Sequence, residues 1–114
     1  MGILRYSASG IEVEFEDRVL THLQIAMGTK LRRGESFFLN WKDDPKVGDG
    51  RSSIWVEASI PLAFSYSSTA KQDINRRWLT ALTESSESLH GMQLMDEPAP
   101  GGEDGQALDN SVKP

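Results

Sequence analysis

Between Ile11 and Glu16 the chain alternates Ile, Glu, Val, Glu, Phe and Glu, the period of two that a strand needs when one face is buried and the other is wet. Ile3 to Tyr6 reads as a shorter strand before it, and Ser7-Ala8-Ser9-Gly10 as the turn between them, with Gly10 free to take positive φ. The period then changes. From Asp17 to about Arg33 the apolar residues Leu20, Leu23, Met27 and Leu31 recur three or four apart, which gathers them on one face of a helix. The Asp17 carboxylate is placed to accept from first-turn N–H groups. Lys30, Arg32 and Arg33 suit the negative end of the helix dipole, and Gly34 supplies the stop. Gly28, inside this helix, costs about 1 kcal/mol relative to alanine, and a close approach by another backbone would account for it.

Three further strands follow. Phe37, Leu39 and Trp41 alternate on one face, and Asp43 to Gly50 is a long polar turn. Ser53 to Ala58 sets Ile54 and Val56 on one side and Trp55 on the other. Ile60, Leu62, Phe64 and Tyr66 alternate again, with Pro61 marking an edge strand. After a loop over Ser67 to Gln72, Asp73 is the expected cap of a second helix carrying Ile74, Trp78, Leu79 and Leu82. Gly91 ends it, and Met92 to Met95 forms a last short strand. The expected fold is α+β: a largely antiparallel sheet of about five to six strands, in the order ββα-βββ-αβ, with two helices packed on one face.

Past Met95 almost nothing is apolar, so one domain over residues 1–95 and a disordered acidic tail over 96–114 are expected. The net charge of −5 lies mostly in that tail, where Asp96, Glu97, Glu103, Asp104 and Asp109 face only Lys113. The body is nearly neutral, which argues against nucleic-acid binding by bulk charge. The absence of cysteine removes disulfides, thiolate metal sites and Cys nucleophiles. The N-terminus lacks the basic and apolar regions of a signal peptide. Tyr6 stands where myristoylation requires Ser or Thr, and no apolar run approaches the ~18 residues of a membrane span. A cytoplasmic protein without a membrane partner is expected.

The chemical motifs are incomplete. His22 and His90 each lack a second histidine one turn away, and His22, beside the apolar stripe, reads as a partly exposed surface residue. Asp43, Asp44 and Asp49 lack the spacing that wraps calcium, so no metal is expected. Gly34-Glu35-Ser36-Phe37-Phe38 has Phe38 where a nucleophile elbow needs its second glycine, and it runs from helix to strand. Gly48-Asp49-Gly50-Arg51 leads into a strand where a phosphate loop opens a helix. Lys46-Val47-Gly48-Asp49-Gly50 has one residue too many for the K-x-D-G pattern of covalent adenylylation, which moves the amine by about 3 Å. No catalytic residue and no cofactor are expected from these patterns. Lys30, Arg32, Arg33, Arg51, Arg76 and Arg77 would make a nucleic-acid-binding patch if they converged, with Trp55 or Trp41 to stack on bases.

Several runs together carry a family likeness: Leu4-Arg5-Tyr6, Thr21-His22-Leu23, Lys30-Leu31-Arg32-Arg33-Gly34-Glu35-Ser36-Phe37, Gly50-Arg51-Ser52-Ser53-Ile54-Trp55, Ile60-Pro61-Leu62-Ala63-Phe64 and Asn75-Arg76-Arg77-Trp78. Over residues 1–98 the chain resembles a family of short, uncharacterised actinobacterial proteins often labelled ATP-dependent DNA ligase. The resemblance implies DNA as a partner, and ATP with magnesium as cofactors if the ligase label holds. It supplies no catalytic residues. A complete ligase needs an adenylylation pocket and usually a second domain, which about 95 residues do not hold; an accessory to ligation or repair is what the likeness implies. The residues themselves point first to a non-catalytic interaction domain, acting on a protein partner or on a second copy, because two sheet edges are expected to be exposed and the tail is acidic.

Overall fold

A computed structural model describes residues 1–7 and 10–100 of the chain. β1 (Gly2–Tyr6) and β2 (Ile11–Phe15) form the N-terminal hairpin, with Leu4 opposite Val13. α1 (Asp17–Arg32), β3 (Phe37–Lys42), β4 (Arg51–Val56), β5 (Leu62–Ser65), α2 (Arg76–Ser85) and β6 (Met92–Gln93) follow. Ala8 and Ser9 of the first turn, and residues 101–114 of the expected tail, lie outside the described residues.

The fold is α+β, with two helices and six strands among the described residues, but the strands do not form the single sheet expected. They make two three-stranded sheets, ordered β2-β1-β5 and β4-β3-β6. The division follows from two connections. After β4, the Ile60 N–H closes a turn on the Glu57 carbonyl, and the Pro61 carbonyl accepts from Ser7 N–H, which carries β5 to β1 instead of back beside β4. β6 instead returns parallel to β3, with Met92 opposite Leu39. The two sheets meet through side chains: the Tyr6 hydroxyl donates to the Trp55 carbonyl, and Phe15 meets Trp41 edge to face at 5.9 Å between centroids. Leu4, Leu20, Leu23, Met27, Leu39, Val56, Leu82 and Met92 are wholly buried between the sheets and the helices.

The helices lie side by side and run in the same direction. Near the start of α1, His22 meets Asn75 at the start of α2; near its end, Lys30 meets Glu87 just beyond α2. His22 corrects its surface assignment. It has no exposed area, its ring stacks on Trp78 at 4.6 Å, and both nitrogens are bonded. Nε2 accepts from the Asn75 N–H at 2.9 Å, so Nδ1 must carry the hydrogen donated to the Arg18 carbonyl, 2.8 Å away. His22 falls one residue before Leu23 on the helical wheel, and α2 covers that flank, so the apolar stripe is wider than its leucines.

The caps also differ from expectation. Asp17 is the first residue of α1, and its carboxylate accepts from the Ser67 N–H and hydroxyl instead of from its own helix. Asn75 caps α2 in place of Asp73, its side chain accepting from Trp78 N–H, which leaves Ile74 before the helix and exposed. Gly91 takes φ 90° and lies against the Phe38 carbonyl where any Cβ would clash. Gly28, by contrast, faces open space, so no neighbouring backbone explains it. Gly28→Ala is therefore expected to raise stability by about 0.5–1 kcal/mol, read as a higher denaturation midpoint. A lower midpoint would show that something closes on that position.

Candidate functional site

The outer face of the β4-β3-β6 sheet carries the most distinctive exposed group of side chains. Strand register decides its members. Phe38 lies opposite Trp55, Asn40 opposite Ser53 and Lys42 opposite Arg51, so each pair shares one face, while Phe37, Leu39 and Trp41 turn to the core. Phe38 and Trp55 are 47% and 40% exposed and meet edge to face at 5.0 Å. At the other end Lys42 and Arg51 are exposed and carry no ion pair among the described residues. A groove of about 520 Å³ lies at that end, walled by Lys42, Arg51, Asp49 and Gln93.

Asn40 holds this face together although it points outward. Its amide donates to the His90 and Met92 carbonyls at 2.7 and 3.2 Å, and its side-chain oxygen accepts from the Ser53 hydroxyl. Beside the aromatic pair, Glu57 accepts from the Trp55 indole at 3.0 Å and from the Ser59 hydroxyl. Those two bonds, the hydroxyl first, hold its carboxyl below the ordinary range.

The six basic residues singled out by sequence are spread across three places. Lys30 is buried, with its ammonium 2.5 Å from Glu35 and 3.1 Å from Glu87; the Glu35 bond, then Glu87, raise its pKa against the cost of burial. Arg32 and Arg33 are exposed where α1 ends, and Arg76 and Arg77 are exposed where α2 begins. Because the helices run parallel, these two pairs lie at opposite ends, roughly 20 Å apart by helix rise. Arg51 alone shares a face with an exposed tryptophan. Its neighbour Lys42 was absent from the sequence-based set; β-pairing with Arg51 was the signal that could have found it. Trp41 points into the core and is 9% exposed. Among the described residues no group of three or more His, Asp or Glu side chains could hold a metal ion, and no helix is long and apolar enough to cross a membrane.

A family model for a domain of unknown function, DUF7882, matches residues 1–97. The chain belongs to that family. No curated protein and no solved structure matches it.

The match reaches Glu97, and in the DUF7882 domain the residues up to Ala99 remain packed on the helices. The Arg18 guanidinium grips the Glu97 carboxylate through two bonds of 2.7 and 2.6 Å. Asn75 donates to Glu97 and to the Pro98 carbonyl, both at 2.9 Å, and the Trp78 indole donates to the Met95 carbonyl. A cavity of about 250 Å³ lies under this strap, between Arg18, Lys42, Trp78 and Glu97. The Arg18 bond first, then the Asn75 bond, push the Glu97 carboxyl down to about 2 from its ordinary 4.5. The released carboxyl therefore binds a proton more readily than the docked one. Docking of the strap is at full strength above about pH 4.5 and is lost as the pH falls toward 2. A carboxyl-carbon NMR titration is expected to place the Glu97 midpoint at about 2, far below its ordinary 4.5. An ordinary midpoint would mean that the strap is not docked.

Proposed function

We propose that this DUF7882 domain is a non-catalytic interaction module and that its contact surface is the outer face of the β4-β3-β6 sheet. The observation that carries the reading is the exposed Phe38–Trp55 pair sharing that face with Lys42 and Arg51. Interfaces concentrate their energy in aromatic and arginine side chains set among polar neighbours, and this face has that composition. The aromatic pair supplies rigid apolar area at low entropic cost. The two cations select a partner with carboxylates near its apolar anchor.

A second reading uses the same residues on DNA, in keeping with the ligation or repair role that the family likeness implies. Arg51 and Lys42 beside an exposed tryptophan favour it, since cations track phosphates while an indole stacks on a base. Asp49 and Glu57 on the same face weigh against it, because both would repel a polyanion. ATP and magnesium enter only if that role includes ligation itself.

The reading is tested by placing a photo-crosslinking amino acid at position 38, with position 89 as the control, in the full chain expressed in its own host. Leu89 is almost fully exposed and lies in the turn between α2 and β6, outside the strand pairs. Discrete protein adducts from position 38 that disappear with Arg51→Glu, and none from position 89, are expected. No adducts, or the same adducts from both positions, would overturn it. Fluorescence anisotropy with labelled nicked, intact and single-stranded DNA across a salt series decides between the two readings. Binding that falls steeply with salt and is lost with Lys42→Glu would replace the protein partner by nucleic acid; flat traces would end the DNA reading.

A further inference from the structure

Among the described residues the two three-stranded sheets have four edges, and three of them are guarded. β2 carries Glu12 and Glu14 among its exposed positions, and charges along an edge discourage a further strand. β5 has four residues and is preceded by Pro61, which has no N–H to offer. β6 has two residues, and the Ser85 hydroxyl of α2 takes the Gln93 N–H. β4 differs. Between Arg51 and Val56 its residues are Ser52, Ser53, Ile54 and Trp55, with neither charge nor proline, and among the described residues it pairs only with β3.

The register tells which backbone groups stand on this open edge. The Asn40 carbonyl accepts from Leu94 N–H at 2.9 Å, so the Asn40 backbone faces β6. Its opposite number, Ser53, therefore makes no backbone bonds with β3 and turns its N–H and C=O outward. By the same alternation Arg51 and Trp55 also face outward. The Trp55 carbonyl, which the Tyr6 hydroxyl reaches from the other sheet, marks that direction independently.

We propose that this edge pairs with β4 of a second copy of the chain, antiparallel and centred on Ser53; this rests on the interaction-module reading above and names the partner. The arrangement is self-complementary. Each Ser53 exchanges both backbone bonds with its counterpart, and Arg51 exchanges both with Trp55 of the other copy. The Trp55 carbonyl has a second lone pair for this beside the one Tyr6 uses. On the outer face Arg51 then lies against the indole opposite it. Glu57, which that indole already holds, is the next residue diagonally on the same face. Cation meets aromatic and carboxylate twice about the two-fold axis. The result is one continuous sheet in the order β6-β3-β4-β4-β3-β6, with both aromatic pairs on a shared face.

Sedimentation velocity on the full chain across a micromolar concentration series tests this, using the natural sequence, Arg51→Glu, Glu57→Arg and the Arg51→Glu/Glu57→Arg exchange. Thermal melts confirm that each variant is folded. The natural chain is expected to dimerise reversibly. Each single substitution should weaken the dimer by about tenfold or more, and the exchange should restore most of the loss. A strict monomer, single substitutions without effect, or an exchange no better than the singles would each overturn the proposal. A monomer that still forms adducts from position 38 would remove the second copy and leave the module reading in place. A monomer without adducts would remove both.

Discussion

Asn40 is the residue on which the rest of the arrangement turns. Its side chain binds two carbonyls of the segment leading into β6 and the hydroxyl of Ser53 on β4, and its main chain binds Leu94. A primary amide buried to this extent must have its donors and acceptor satisfied, or it costs several times what each bond contributes. Here all are satisfied, and the solution fixes the neighbours on both sides of β3. On one side it seats β6, from which the chain continues to the strap held by Arg18 and Asn75. On the other it sets the phase of β4, and with it which backbone groups face outward.

The two helices carry a similar division of labour between apolar and polar contacts. Leu20, Leu23, Met27, Trp78 and Leu82 supply the buried area, but area alone does not fix the direction in which α2 runs. His22 at one end and Lys30 at the other do, because each buries a polar group that only one alignment satisfies. That is the specifying role open to buried polar residues. The same alignment places Arg76 and Arg77 far from Arg32 and Arg33, so a chain rich in helix-terminal arginines does not assemble them into one patch.

Most of the element order was legible in the sequence, because alternation such as Ile11-Glu12-Val13-Glu14-Phe15 and the leucine spacing of α1 are local signals. What was not legible is non-local. Nothing in the run from Ile60 to Tyr66 says that β5 joins β1 and leaves β4 with an open edge; a proline carbonyl bonded to Ser7 decides it. His22 looked like a surface residue because its partners lie more than fifty positions away, on Asn75 and Trp78. Asp73 and Asn75 are both competent caps by type, and only the docking against His22 selects Asn75. The candidate site was half visible: Arg51 and Trp55 are four residues apart on one strand and hence on the same face, whereas Phe38 and Lys42 join them only through the β3–β4 register.

The most direct test of the open edge is amide hydrogen exchange along β4, followed residue by residue at low and high protein concentration. In dilute solution the amides of Ser52 and Ile54, bonded to β3, should exchange slowly, while those of Ser53 and Trp55 exchange fast. Concentrating the protein should slow Ser53 and Trp55 and leave Ser52 and Ile54 unchanged. A Ser53 amide that is already slow in dilute solution, or that stays fast at every concentration, would contradict an edge that is open in the single chain and closed by a second copy.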